Sequence, residues 1–452
     1  MNTPSAFVKK AASVAALALM STPGFALDLM ASYDKALQVD PTMLAANAAV
    51  LAGREKAVQG HALLKPQVSL AASLSYVNDR SATSLPGGPS ELIKPESSGT
   101  VHQTALQLVQ PLYNAKAAAD NKQLQQQSGL AEIRYRDAQQ DLMQRVGETY
   151  FSVLLAQETL RVAQAEKAAV GMQRDRAQAR FEVGRGRITE VQETQARYDS
   201  VLAREVSAKS TLALRQAQYQ ELTGVPADGL AELRPGFTPS APQPDSLQAW
   251  QSKGLAHNTR VQAREGELAI ASAEIGKYTL SGRPTLDLVA SYTFKGQNGG
   301  LSPTIAPDSN RAAVIGVQLN VPLFTGGALN SREREAIARQ RQAEQELGAA
   351  RRDMRLQVQD AFLAVNTGVA RIGALEQSVL SAQTALEATT LGRDVGSRTE
   401  LDVLDAQQRL FSVQLDLAQA RNDHLLGRIR LAAAAGELQE SDLRALNAQL
   451  AP

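Results

Sequence analysis

Apolar residues along this chain change their spacing several times, and each change predicts a new element of secondary structure. In residues 28–64 they recur every three or four positions, which predicts helix with a restart at Pro41. After Pro66 apolar residues alternate with small or polar ones, as in a strand with one apolar face. Residues 114–181 are nearly free of proline and glycine, and their apolar positions step by four and three, like the seam of a coiled coil. A helix of that length would reach roughly 100 Å, more than a compact domain needs.

The same order of elements is predicted twice. The first copy covers residues 27–224, with helices and strands at 28–64 (helix), 67–78 (strand), 102–113 (strand), 114–181 (helix) and 188–222 (helix). The second copy covers residues 245–436, with elements at 245–281 (helix), 284–295 (strand), 311–324 (strand), 327–392 (helix) and 399–435 (helix). A linker at 225–244, rich in proline and glycine, joins the copies, and a polar tail at 437–452 follows. Because prolines, strand pairs and turns all match in order, chance similarity does not explain the repeat.

Each copy has a glycine turn between its two longest helices. The turns open the segments VGRGRITEVQETQAR, residues 183–197, and VGSRTELDVLDAQQR, residues 395–409. Glycine directly after the last helical residue is typical of a helix C-terminus. The sequence therefore predicts two long helical hairpins with tips at Gly184 and Gly396.

The amino-terminal residues 1–26 have the pattern of a secretory signal peptide. Lys9 and Lys10 precede an apolar run that is too short to span a membrane comfortably, and small residues at Gly24 and Ala26 favour cleavage after Ala26. The sequence has no cysteine, which excludes disulfides, thiol chemistry and lipid attachment through an N-terminal cysteine. We expect an exported protein.

Composition excludes several classes of function. The formal net charge is +1, which argues against a nucleic-acid partner. The four histidines are scattered without metal-ligand spacing, and neither a phosphate-binding loop nor a nucleophile motif occurs. We therefore expect no enzyme activity, no metal and no cofactor. Only 4% of the residues are aromatic, which favours long exposed helices over a compact aromatic core.

The four predicted strands need partners from other chains. The smallest membrane barrels use about eight strands, so four cannot close one. The strands nevertheless have apolar alternate faces, with aromatic residues where an interfacial girdle would lie: Tyr76, Tyr113, Tyr292, Phe294 and Phe324. Several chains could pool their strands into one barrel. A periplasmic coiled-coil adaptor or scaffold without a pore is the alternative, although it would leave the strands unexplained.

The order of helix, strand pair, long helix, glycine tip and return helix, twice over, resembles the TolC family of outer-membrane efflux and secretion ducts. The resemblance covers essentially the whole mature chain and is carried by five segments, at residues 36–41 (ALQVDP), 110–113 (QPLY), 180–184 (RFEVG), 321–324 (VPLF) and 395–407 (VGSRTELDVLDAQ).

The resemblance implies a mixed α/β membrane channel. A homotrimer would form a twelve-stranded β-barrel in the bacterial outer membrane and an α-helical tunnel in the periplasm. It would be the passive exit duct of a tripartite system for type I protein secretion or small-molecule efflux. Its partners would be outer-membrane lipid, a periplasmic adaptor and an inner-membrane ABC or proton-driven transporter.

The resemblance also assigns a pore constriction at the second tip. Asp402 and Asp405 match the family's constriction carboxylates, and residues three apart share one face of a helix. Three copies would form two stacked rings of carboxylates, which favour cations and bind multivalent ones that block the pore. Crowding of like charges is expected to raise some of their pKa values.

Links between neighbouring helices are expected to hold this gate closed. Arg398 matches the family's gate arginine, and Thr189 and Glu190 match its partners; each such link should contribute about 0 to 1 kcal/mol. Arg393 stands where the family often has an aromatic hydroxyl, so a lock between Arg393 and Glu190 is expected instead. The adaptor is expected to dock on Val183, Gly184, Arg185, Val395, Gly396 and Ser397.

Overall fold

The computed structural model describes residues 27–80, 96–234, 236–299 and 309–451. The predicted signal peptide at 1–26 lies outside these ranges. In chain order the elements are α1 Leu29–Val39, α2 Pro41–Ala62, β1 Gln67–Arg80, β2 Glu96–Tyr113, α3 Ala115–Glu182, α4 Ile188–Thr223, α5 Leu247–His257, α6 Thr259–Ser281, β3 Thr285–Gly299, β4 Ser309–Asn320, α7 Ala328–Asp394, α8 Glu400–Ala434 and α9 Glu440–Asn447.

Two long antiparallel hairpins dominate the structure. Helices α3 and α4 form hairpin 1, and helices α7 and α8 form hairpin 2. Helices α3 and α7 have 68 and 67 residues, so each is about 100 Å long. The hairpins touch each other mainly where α8 packs against α3. None of the helices described by the structure is both long enough and apolar enough to cross a membrane.

Capping side chains divide the shorter helices. Asp40 accepts a hydrogen bond from the backbone N–H of Met43, and Pro41 begins α2, as the pattern predicted. The prediction of one helix at 245–281 is wrong, because Asn258 interrupts it. The Asn258 side chain accepts from the Val261 N–H and donates to the Ala434 carbonyl oxygen at 2.9 Å. This tertiary contact with α8 fixes the break, and no proline or glycine in the sequence marks it.

The strands form one antiparallel sheet in the order β1-β2-β3-β4. Leu106 faces Leu70 on one side and Tyr292 on the other, and all three side chains are exposed. We call the side of the sheet that carries Leu70, Leu106 and Tyr292 the outward face. The opposite face is more polar, with residues that include Ser69, Gln107 and Ser291. All four connections to helices leave the same end of the sheet.

The strand boundaries differ from the predicted ones by up to six residues. Strand β2 begins at Glu96 instead of 102, because its first residues pair in register with the last residues of β1. Strand β4 ends at Asn320 instead of 324, since the chain leaves the sheet before Pro322, which has no N–H to donate. Beyond that point Leu323 and Phe324 are almost fully exposed.

The main core lies where both repeats, the linker and the tail meet, around Tyr150, Tyr219 and Leu29. Leu230 of the linker pairs with Leu27 in a short β-bridge, and Leu233 pairs with Leu450. The residues predicted as a polar tail contain α9, which buries the side chains of Leu443 and Leu446. The description of this segment as a polar tail is therefore wrong, because leucines three and four apart give it an apolar face.

Candidate gate at the hairpin tips

Both hairpin tips close with the same backbone geometry. Gly184 and Gly396 have φ angles of +73° and +81°, in the left-handed region that glycine adopts without strain. The N–H of Arg185 donates to the Arg180 carbonyl at 2.8 Å, and the N–H of Ser397 donates to the Gly392 carbonyl at 2.8 Å. These bonds satisfy carbonyls at the ends of α3 and α7. The glycine turns lie where the sequence predicted them.

The six residues expected to dock an adaptor are all exposed. Val183 and Val395 are 70% and 72% exposed, so each tip presents an apolar side chain beside its glycine. A Cβ added at Gly184 or Gly396 would have no atom within 4 Å, so steric crowding does not exclude a larger residue there. The backbone angle alone requires glycine at these positions.

Asp402 has a structural role that the sequence analysis missed. The N–H and the hydroxyl of Thr399 each donate to the same Asp402 carboxylate oxygen at 2.8 Å, and the Asp402 N–H donates back to the Thr399 hydroxyl. This capping box starts α8. The hydrogen bonds from Thr399 lower the pKa of Asp402, the opposite direction to that expected from crowding between copies. Asp405 lies one turn further on and is exposed.

The expected link from Arg398 to Thr189 and Glu190 is not made within one chain. Arg398 is exposed, and within the described part of the chain its guanidinium forms no ion pair or hydrogen bond. Its stem lies against Gly392, where a Cβ would approach the Arg398 Cγ to 2.8 Å. The charge of Arg398 also contributes to the lowered pKa of Asp402.

Arg393 is the polar residue that joins the two hairpins at the tip. Its guanidinium pairs with Asp394 at 2.6 Å and Glu400 at 3.4 Å, and it donates to the side-chain oxygen of Gln173 on α3 at 3.4 Å. The expected pairing with Glu190 is therefore wrong within one chain. Burial alone would lower the pKa of Arg393, but its bonds to Asp394 and the charge of Glu400 raise it. Sequence reasoning missed Gln173, because only the packing of α3 against hairpin 2 brings it to Arg393, and it missed Glu400, which the tip turn folds back onto Arg393.

A small apolar cluster holds hairpin 2 against hairpin 1 above the tip. Leu404 of α8 packs between Val170 of α3 and Val201 of α4, and Tyr198 covers the group. The guanidinium of Arg174 lies 4.4 Å from the Tyr198 ring centre. Further from the tip, an open groove of about 320 Å³ separates α4 from α8. Leu404 is thus the principal apolar contact between the hairpins near the tip.

Solved structures with this arrangement are outer-membrane channels. The outer membrane protein VceC of Vibrio cholerae has a TM-score of 0.76 at 21% identity, covering 90% of this chain and 96% of that one. The CmeC outer membrane channel of Campylobacter jejuni has a TM-score of 0.77 at 16% identity, covering 100% of this chain and 98% of that one. The fold is therefore that of an outer-membrane channel subunit.

Sequence comparison gives the family. The model described as outer membrane efflux protein matches residues 32–225 and again residues 250–437. Outer membrane protein TolC of Vibrio cholerae is 33% identical over 436 residues, 96% of this chain and 97% of that protein. Alkaline protease secretion protein AprF of Pseudomonas aeruginosa is 32% identical over 430 residues, 94% of this chain and 88% of that protein. The chain belongs to the outer membrane efflux protein family, as the resemblance predicted.

Membership defines the class of function. The protein is located in the outer membrane and is an exit duct for secretion or efflux. The two matches to the family model confirm the predicted tandem repeat. The family is a class of transport channels and not a class of enzymes. A periplasmic adaptor without a pore, the alternative from the sequence, has no support among these relatives.

Proposed function

We propose that three copies of this chain form one passive duct, with a twelve-stranded barrel in the outer membrane and a helical tunnel in the periplasm. The sheet of one chain supports this assembly, because β1 and β4 are edge strands whose outer backbone groups have no partner among the described strands. Pairing of β4 with β1 of the next copy would satisfy these groups. Closing the barrel in this way would also turn the apolar outward face toward lipid.

A stripe of apolar residues on α2 supports the same assembly. Leu44, Leu51 and Val58 lie seven residues apart on one face, and all three are exposed in the single chain. Apolar residues at a seven-residue repeat are the seam by which helices pack on one another. The stripe would be covered by a helix of a neighbouring copy.

The gate would consist of the second hairpin tip of each copy. Three Asp402 and three Asp405 side chains would form the constriction, and Arg398 would reach Thr189 and Glu190 of a neighbouring copy. The support is that Arg398 is exposed and leaves these partners unused in its own chain. Arg393, through Gln173 and Glu400, would be the link within each copy in place of the aromatic lock. The gate would open only when the link from Arg393 to Gln173 and the link from Arg398 to the neighbouring copy both break.

The exposed tips would dock a periplasmic adaptor that connects the duct to an inner-membrane ABC or proton-driven transporter. Gly184 and Gly396 present bare backbone beside the exposed Val183 and Val395, which allows close approach of a partner. Two relatives are named for secretion, AprF for alkaline protease and PrtF of Dickeya chrysanthemi for proteases. These names favour type I protein secretion over small-molecule efflux.

The four-stranded sheet with one apolar face, continuous with hairpins about 100 Å long, carries this proposal. The test is conductance of the purified protein in planar bilayers, with multivalent cations added on the side of the tips. We expect heat-modifiable trimers and small pores that multivalent cations block. Replacing both aspartates by asparagine should abolish the block. Monomers without conductance would contradict the duct, and an undiminished block in the double variant would contradict the constriction.

A further inference from the structure

The outward face of the sheet is largely apolar toward the helices, and a cluster with a permanent positive charge lies toward its other end. In the sheet register Phe294 of β3 lies opposite Arg311 of β4, and His102 of β2 lies opposite Gly296 of β3. Because side chains alternate between faces along a strand, His102, Phe294 and Arg311 share the outward face with Leu106 and Tyr292. A permanent positive charge on a face of this kind needs a partner.

The Phe294 ring lies between the other two side chains. The His102 and Phe294 ring centres are 5.6 Å apart, and the Arg311 guanidinium carbon lies 5.6 Å from the Phe294 ring centre. His102 lies over Gly296, where a Cβ would overlap its ring. Glycine at this position thus makes room for the imidazole. The result is one aromatic ring flanked by an imidazole and a guanidinium.

The cluster lies at the outer edge of the apolar band. On β4 the apolar outward residues end at Ala313, and Arg311 is the next outward residue toward the end of the sheet opposite the helices. In the closed barrel that end would face the outer leaflet, and the edge of an apolar band is where a barrel meets the lipid headgroups.

We propose that His102, Phe294 and Arg311 bind the phosphate-bearing headgroup of a lipid in the outer leaflet. Arginine is always charged and holds phosphate with two parallel N–H donors. Strands β2 and β4 are about 10 Å apart, so the two donors fit a phosphorylated sugar headgroup better than a single inorganic phosphate. The inference rests on the proposed duct, because the outward face meets lipid only in a closed barrel.

The test uses purified trimers in detergent, native mass spectrometry, and diphosphorylated lipid A or its dephosphorylated form as probes. We expect the wild-type trimer to bind the diphosphorylated lipid and Arg311→Gln to bind it about tenfold more weakly. Arg311→Lys should bind the lipid with intermediate affinity, because lysine keeps the positive charge but lacks the two parallel N–H donors of arginine. Lys295→Gln is the matched control, since Lys295 follows Phe294 on β3 and faces the other side of the sheet. It should bind like wild type.

Three results would overturn the proposal. The first is equal binding by the wild type and Arg311→Gln, with conductance in planar bilayers showing that the variant assembles. The second is equal binding of the dephosphorylated lipid, and the third is displacement of the lipid by millimolar inorganic phosphate. A wild-type protein that forms no conducting trimer at all would instead contradict the proposed duct, and the outward orientation of this face with it.

Discussion

The two hairpin tips share one turn but exchange an arginine and a glycine at two matching positions of it. Aligned on Gly184 and Gly396, position 180 matches 392 and position 186 matches 398. Hairpin 1 has Arg180 and Gly186, while hairpin 2 has Gly392 and Arg398. A Cβ at Gly186 would lie 2.9 Å from the Phe181 backbone nitrogen and 3.2 Å from the Arg180 Cβ, and a Cβ at Gly392 would lie 2.8 Å from the Arg398 Cγ. Each turn is therefore tight at the position where it has glycine.

This exchange makes the two hairpin tips unequal. Arg180 is at the end of α3, whereas Arg398 is at the start of α8, beside Asp402 and on the side of the constriction carboxylates. At this position of the duplicated turn only hairpin 2 has an arginine.

The hairpins also differ in how they are held together. In hairpin 1 the buried Glu205 carboxylate of α4 binds Lys167 of α3 at 2.6 Å, and the buried Glu166 of α3 binds Arg204. Hairpin 2 has an apolar seam that includes Phe362, Val365 and Ile372, and its ion pair between Glu376 and Arg421 is partly exposed instead of buried. We infer that hairpin 1 is the fixed half of the gate and hairpin 2 the moving half.

The largest effect should come from removing the apolar contact between the hairpins. Leu404 is 3% exposed, so Leu404→Ala should destabilise the closed tip by about 2 to 5 kcal/mol through lost burial and a cavity. Single-channel conductance should rise, because hairpin 2 loses its contact with Val170 and Val201. Leu401→Ala is the control, since Leu401 is on the same helix and is 46% exposed. Equal effects of the two substitutions would show that the cluster does not hold the gate.

The exchange of glycine and arginine can be tested at Gly392. Gly392→Ala would place a methyl group 2.8 Å from the Arg398 Cγ and force that side chain to move, at a cost of about 1 to 3 kcal/mol. We expect higher conductance with intact trimers. Gly373→Ala adds the same methyl on α7 where no atom lies within 4 Å, and should stabilise the helix by up to about 1 kcal/mol. If both variants conduct like wild type, the position of Arg398 does not control the gate.

The ion pairs of hairpin 1 predict a pH dependence. Hydrogen bonds from Lys167 and Lys209 lower the pKa of Glu205 from 4.5 to about 2. Because the folded-state pKa is below the unfolded one, the stabilisation is complete above about pH 4.5 and is lost as the pH falls towards 2. Thermal unfolding should therefore show a smaller loss of stability between pH 5 and pH 3 in Glu205→Gln than in wild type. Glu376→Gln, at a half-exposed pair in hairpin 2, should keep the wild-type loss.

Much of the fold is readable from the sequence because its elements are long and periodic. Alternation after Pro66 predicted β1, and steps of three and four predicted α3 and α7 with ends close to the observed ones. The start of β2 was missed, since its first residues are Ser- and Gly-rich and become strand only by pairing with β1. The break at Asn258 was missed for the same kind of reason, because a contact with Ala434 fixes it.

Residues of the candidate site could be predicted from the sequence only where the local backbone conformation determines their position. Gly184 and Gly396 could be placed from the turn pattern, because a left-handed residue after a helix is a local requirement. The partners of Arg393 could not, since Gln173 is 220 residues away in sequence. Thr399 followed three residues later by Asp402 is a signal that could have been used, because this spacing is that of a capping box.

The most direct test of the unequal gate compares two arginines at matching turns by single-channel conductance in planar bilayers. Arg398 is exposed and its links should each contribute only about 0 to 1 kcal/mol, so Arg398→Ala should leave trimer stability unchanged. We expect Arg398→Ala to raise conductance, more so together with Glu190→Ala, and Arg180→Ala to conduct like wild type. Unchanged conductance in Arg398→Ala, or an equal rise in Arg180→Ala, would contradict a gate whose arginine comes from hairpin 2 alone.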